Sequence, residues 1–212
     1  MKNKAISLLS DGFDSPIASY LMIKQDITPI FLSFLTTEPE KEDMRGKIIR
    51  IIRRLSEISS KELKVYFVDH YNNLEFIKRS CTRKLTCVLC KRLMIRIAMK
   101  IGEIEGTNLI LTGDILGEQA SQTLDNLLSY NDLFINYIKL APLIGFNKLD
   151  IMKKSKKLGL YNICAKKFQS CLYFPEYPET RAKMNEIKIA EKEININKWI
   201  YDVINNIEVL KF

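Results

Sequence analysis

The sequence predicts an α/β protein with a doubly wound parallel sheet, helices on both faces and a helical extension at the carboxyl end. Three observations carry this. Apolar β-branched runs alternate with longer stretches of helical period as far as residue 140, which is how strands and crossover helices of a parallel sheet read. The first such run passes straight into a loop, Ser10-Asp11-Gly12-Phe13-Asp14-Ser15, that opens a helix. Beyond Gly145 the alternation stops and the remaining chain reads as helices and one long loop.

Residues 5–9 read as a buried strand and 15–24 as the helix after it. Residues 28–34 form the next strand, and 41–59 carry apolar side chains at helical spacing. A third strand follows at 63–68, a helix at 91–103 and a fourth strand at 108–112. Residues 119–129 read as another helix and 137–140 as a short strand. Residues 147–157 are helical by period, 164–180 form a loop with Pro175 and Pro178, and the stretch from 182 onward reads as one or two amphipathic helices carrying Trp199. There is no repeat and no linker. The expected organisation is one domain over residues 1–180 and a helical extension over 181–212. Ligands of such sheets sit at the carboxyl ends of the strands, so the loops of interest begin at Ser10, Phe34, Asp69 and Gly113.

Composition narrows the function. With 47% hydrophobic residues in 212, and only eight Gly and six Pro, collagen-like, low-complexity and disordered classes are excluded. No apolar run approaches the roughly 20 residues that span a bilayer. The short apolar run at the amino end meets Ser10-Asp11-Gly12 without a small-residue cleavage site, so no signal peptide is read and a cytoplasmic location without membrane contact is expected. The net charge of +8 favours a polyanionic partner, a nucleotide or nucleic acid. Five cysteines (Cys81, Cys87, Cys90, Cys164 and Cys171) are an odd number, and in a cytosolic chain they point to metal binding or catalysis before disulfides.

In the first loop, Gly12 permits a tight turn, main-chain amides at a helix start make an anion site, and Ser10 and Ser15 add hydroxyl donors. Asp14 is placed to hold Mg²⁺ or to order the loop. The same residues also suit an ordinary capped helix start. Cys87-Val88-Leu89-Cys90 is a CxxC just ahead of the helix expected from Lys91, where the helix terminus with Lys91 and Arg92 would favour thiolates. Metal or redox work and simple burial are both open for this pair. His70, the single histidine, follows the third strand and reads as a satisfied loop residue rather than an acid–base catalyst.

These segments resemble a known family. Ser10 to Ser15 is similar to the Ser-Gly-Gly-x-Asp-Ser pyrophosphate loop of ATP pyrophosphatases, with Asp11 in place of a glycine, which would set a negative charge beside the pyrophosphate. Thr112-Gly113-Asp114-Ile115-Leu116-Gly117-Glu118-Gln119-Ala120-Ser121-Gln122-Thr123 strongly resembles a segment of tRNA 4-thiouridine synthetases, and Ala141-Pro142-Leu143-Ile144-Gly145 with Lys148 resembles their Arg-Pro-Leu-Ile stretch. The resemblance implies a Rossmann-like ATP-pyrophosphatase domain of the adenine nucleotide alpha hydrolase type. By it, Leu8 and Leu9 line the nucleotide with their backbone, Ser33 and Phe34 frame the adenine, Lys91 stands where the family has an arginine near the nucleotide, and Gly113 and Gln122 complete the pocket.

By the same resemblance Cys171, in Ser170-Cys171-Leu172-Tyr173-Phe174-Pro175, is the cysteine essential for sulfur transfer. Cys87, Cys90 and Cys171 would hold a 4Fe-4S cluster with one iron free to take sulfide, zinc being the metal alternative and persulfide or disulfide chemistry the metal-free one. The implied reaction adenylates a uridine of tRNA with ATP and Mg²⁺, then displaces AMP with sulfur to give 4-thiouridine (position 8 in the family). A sulfide or persulfide donor is implied too. The ferredoxin-like and THUMP domains that the family carries ahead of this region have no counterpart before residue 4. A separate tRNA-binding subunit, a homodimer, or the basic residues Lys183, Lys188, Lys192 and Lys198 would then present the RNA. Thiolation of another base or a small molecule, or a metal-bound RNA-binding accessory role, are the competing readings.

Overall fold

The computed structural model describes residues 3–36, 43–166, 171–192 and 196–212. The chain runs β1 (Asn3–Leu8), α1 (Asp14–Ile23), β2 (Ile27–Leu35), α2 (Met44–Ser59), β3 (Lys64–Asp69), α3 (Tyr71–Ser80) and α4 (Thr86–Glu105). It continues through β4 (Leu109–Leu111), α5 (Leu124–Leu128), β5 (Ile138–Leu140), α6 (Lys148–Lys157), α7 (Tyr161–Ala165), α8 (Met184–Lys192), α9 (Ile196–Asn205) and β6 (Glu208–Lys211). The sheet order is β5-β4-β1-β2-β3-β6, parallel except for β6, which pairs antiparallel with β3.

Successive residues of a strand face opposite sides, so continuous apolar runs bury two layers at once. Ala5, Phe31, Val65 and Phe67 meet Ile17 and Ala18 of α1 and Ile48, Ile51, Ile52 and Leu55 of α2, with Ile151 of α6 and Cys164 of α7 in the same layer. Ile6, Ile30, Leu32, Tyr66 and Val68 meet Val88, Leu89, Leu93 and Ile97 of α4 on the other side, backed by Ile187 of α8. The α/β class, the parallel order and the two-sided helix cover are as the sequence predicts.

Local differences have physical causes. The fourth helix begins at Thr86 instead of Lys91, because Leu85, Val88, Leu89 and Arg92 extend its buried stripe upstream at helical spacing. The CxxC therefore lies within the first turns of α4. The helix α3, with Asn73, Leu74 and Ile77 buried, was not expected at all. The stretch 119–129 is broken: a 3₁₀ turn over Ala120–Gln122 precedes an extended Thr123 that caps α5. Residues 206–212, expected to be helical, leave α9 and close the free edge of β3 as β6.

Candidate nucleotide and thiol site

The strand order reverses at β1, whose neighbours are β2 on one side and β4 on the other, so a crevice opens where the loops after β1 and β4 diverge. The loop after β1 folds on itself. Ser10 N donates to Ser15 Oγ at 2.9 Å, and the two hydroxyls lie 3.1 Å apart. Gly12 N points back to Ser10 Oγ at 3.4 Å. Gly12 turns the loop without a positive φ, and an added Cβ would meet only Ser10 Oγ at 3.6 Å.

The loop from β4 closes against this turn. A Cβ on Gly113 would lie 2.7 Å from Ser15 N and 2.8 Å from Ser15 Cα, backbone that cannot yield. Gly113→Ala is therefore expected to lose about 1–3 kcal/mol of stability through overpacking and nucleotide retention with it. Gly12→Ala, whose added Cβ meets only Ser10 Oγ at 3.6 Å, should melt with the wild type. Thermal unfolding with a nucleotide-binding assay on both variants checks this, and wild-type melting of Gly113→Ala would refute the close approach.

The walls of the resulting cleft, about 310 Å³, include Leu8, Leu9, Ser10, Asp14, Ser15, Lys91, Gly113 and Gln122, together with Cys87, Cys90 and Cys171. Three site residues expected from the sequence lie outside these walls: Gly12, Ser33 and Phe34. Phe34 turns into the α4 layer and packs edge-on against His70 at 5.0 Å. Ser33 is fully buried, and its Oγ has no hydrogen-bond partner among the described residues.

Charges around the cleft are paired in ways a linear motif does not display. Asp11 does not leave a bare charge in the loop. Its carboxylate takes a 2.9 Å ion pair from Lys47, a fully buried lysine that also donates to the carbonyls of Cys164 at 3.1 Å and Lys166 at 2.6 Å. Both Asp14 oxygens accept from Lys148 at 2.8 Å, and Lys148 also reaches Glu118 at 3.3 Å. Asp114 is buried between Lys91 at 2.5 Å and Lys139 at 2.8 Å, with Thr112 Oγ1 donating at 3.0 Å. Burial would raise the Asp114 carboxyl, but the two ammonium groups outweigh it and hold it well below the usual carboxylate range. Gln122 Oε1 accepts from Ile115 N at 3.3 Å, tying the β4 loop together. Sequence reasoning missed Asp114, Lys139 and Lys47; only the acidic position of the Thr112–Thr123 motif hinted at the first.

At Cys87 and Cys90, where the helix terminus with Lys91 and Arg92 would favour thiolates, burial works the other way. Burial pushes Cys87 up to about 11, raises Cys90 further and raises Cys171. Arg92 offers them little, since its guanidinium is buried with Asp132 and Glu191, and Lys91 is engaged by Asp114. Among the described residues no three His, Cys, Asp or Glu side chains converge tightly enough to hold one metal ion. Three cysteines spread over one open cleft, close enough that charge on Cys171 bears on both Cys87 and Cys90, suit a cluster whose thiolates bind separate irons. Cys164 is buried in the α2 layer and Cys81 packs against the α4 layer, both away from the cleft walls. His70 is fully buried, and burial takes its imidazole down to about 3. No described helix is long and apolar enough to cross a membrane.

A phosphate-type loop at the switch point of a parallel sheet, facing a thiol-lined cleft, defines a pyrophosphate-loop α/β domain of the nucleotide-binding class. Residues 1–196 match the family model of the thiamine biosynthesis protein ThiI, and the chain belongs to that family. It is 35% identical over 199 residues to a probable tRNA sulfurtransferase of Methanocaldococcus jannaschii, and 34% identical over 213 residues to one of Methanosarcina mazei. These alignments take in 92% and 99% of this chain but 51% and 52% of the relatives, so the chain spans about half their length. Among solved structures, a 4-thiouridine synthetase–RNA complex with bound ATP superposes over 99% of this chain and 55% of its own, with a TM-score of 0.91 and 29% identity. The U34-tRNA thiolase NcsA of Methanococcus maripaludis, solved with its 4Fe-4S cluster, shares the fold at a TM-score of 0.54 and 16% identity over 98% of this chain and 74% of its own.

Proposed function

We propose that this chain carries the adenylating and sulfur-transferring site of a tRNA 4-thiouridine synthetase. The observation that carries the reading is the meeting of two chemistries in one cleft: Ser10, Asp14 and Ser15 of the phosphate loop share its walls with Cys87, Cys90 and Cys171. The ATP- and RNA-bound relative and the sulfurtransferases that match most of the chain support the same assignment.

On this reading the amides of the first loop and the hydroxyls of Ser10 and Ser15 receive the β and γ phosphates of ATP, with Mg²⁺ shielding their charge. Lys148 orients Asp14 at the mouth of the loop, and Gly113 lets the two loops close on the nucleotide. The C4 oxygen of uridine attacks the α phosphorus and pyrophosphate leaves, its charge met by donors already in place. A sulfur nucleophile then attacks C4, and AMP departs with the original oxygen. Cys87, Cys90 and Cys171 would hold a 4Fe-4S cluster, which when bound supplies a position for that sulfur. The RNA that reaches this cleft is tRNA, in the cytoplasm.

Incubating the purified chain with ATP, Mg²⁺, a sulfide source and excess unmodified tRNA tests the reading. Pyrophosphate release that requires tRNA, with an oxygen-for-sulfur mass change in one uridine, is expected. Tight ATP and tRNA binding without pyrophosphate release would instead make the chain an accessory subunit.

A further inference from the structure

His70 is a fully buried ionisable ring against Cys90 to which the reaction above gives no task. It is held by main chain, its N donating to Leu35 O at 2.9 Å and its carbonyl accepting from Leu74 N at 3.0 Å. Its ring packs edge-on to Phe34. Three side-chain contacts then decide where its proton sits. Trp199 Nε1, which can only donate, donates to Asn73 Oδ1. The other end of that amide, Nδ2, faces His70 Nδ1 at 3.2 Å, and an amide nitrogen also can only donate. Nδ1 therefore accepts and bears no proton, which leaves the single ring proton on Nε2, 3.2 Å from Cys90 Sγ. The thiol has its own acceptor, Met94 Sδ at 3.8 Å, so a sulfur lone pair is open to the ring N–H.

We propose that Trp199 and Asn73 lock His70 in the Nε2–H tautomer, making it a positioning residue that donates a hydrogen bond to the sulfur of Cys90. The orientation of a ligand or nucleophile is commonly set by such an outer partner, and an N–H aimed at sulfur favours the more anionic sulfur whether it is a thiolate or a metal-bound one. The relay also assigns work to α9: it reaches from the carboxyl end of the chain, through α3, to the CxxC at the start of α4. That Cys90 handles sulfur rests on the proposed function; the hydrogen bond rests only on the contacts above.

His70 is the single histidine, so the untagged full chain labelled with ¹⁵N-histidine gives one set of ring signals. Long-range ¹H–¹⁵N correlation at neutral pH should show Nε2 protonated and Nδ1 bare. In Trp199→Phe, which keeps the edge-on ring contact with Phe76, the two tautomers should mix. A protonated Nδ1 in the wild type, or an unchanged pattern in Trp199→Phe, overturns the relay. Its effect on sulfur is read by peptide-mapped alkylation of the metal-free chain. His70→Phe should slow labelling of Cys90 about tenfold, the effect of one hydrogen bond to a charged group. His70→Gln, which retains an N–H, should remain near wild type, and Cys87 serves as the internal control. A wild-type rate in His70→Phe, or an equal loss in both variants, sinks the proposal. None of these readouts needs iron, ATP or RNA, so they stand or fall apart from the thiolation reaction.

Discussion

Cys171→Ala is expected to abolish sulfur incorporation into RNA, by at least about 10³-fold, the loss typical of deleting a reacting group, while ATP-dependent pyrophosphate release stays within about twofold. The separation follows from placement. Cys171 enters the cleft from the loop after α7, whereas the phosphate loop and Gly113 belong to the ends of β1 and β4 and do not depend on it. If the three thiols hold a cluster, anaerobically purified Cys171→Ala, Cys87→Ser and Cys90→Ser should each lose bound iron and sulfide, and Cys81→Ala should not. Wild-type chain that thiolates RNA with no iron would return the thiols to persulfide or disulfide work. Thiolation that survives Cys171→Ala would remove that residue from the reaction altogether.

How far the sequence could be read depended on whether the deciding interaction is local. The five parallel strands are legible because strands buried on both faces are continuous apolar runs, as Phe31-Leu32-Ser33-Phe34 and Val65-Tyr66-Phe67-Val68 show. The loop of Ser10 to Ser15, the Gly113 segment and the CxxC are legible because their chemistry lies in adjacent residues. Strand β6 is not, since four mostly exposed residues become a strand only by meeting the free edge of β3. Nor is α3, a ten-residue helix whose buried face is just Asn73, Leu74 and Ile77.

The charge pairs fail for the same reason. Lys47 lies 36 residues from Asp11, and Lys148 lies 134 from Asp14, so nothing in either neighbourhood announces its partner. From sequence Asp11 sets a charge beside the pyrophosphate, yet buried Lys47 pairs with it while donating also to the carbonyls of Cys164 and Lys166. Arg92 is the mirror case. Two residues beyond the CxxC it reads as a promoter of thiolates, but that spacing on a helix points it away from Cys90, toward Asp132 and Glu191.

That buried arginine carries the largest stability effect expected here. Arg92 is fully buried, donates to both oxygens of Asp132 at 2.7 and 2.8 Å and to Glu191 at 2.7 and 3.2 Å, and also bonds the carbonyl of Ser129. It thereby fastens α4 to the turn over Asn131–Leu133 and to α8. Arg92→Met should destabilise by about 3–5 kcal/mol, the range for removing one partner of a buried ion pair. The lower end is expected, because Asp132 is partly open to solvent and Arg96 still holds Glu191 at 2.7 Å. At roughly 2–4 °C per kcal/mol in a chain of this size, the unfolding midpoint falls by about 6–12 °C. Arg92→Lys should lose nearly as much, since an ammonium cannot fork onto two carboxylates and a carbonyl. Replacing Arg92, Asp132 and Glu191 together by apolar residues should recover part of the loss, because no carboxylate is then left without its guanidinium. Recovery no better than Arg92→Met alone would shift the weight to the Ser129 carbonyl, which an apolar side chain leaves buried and unbonded.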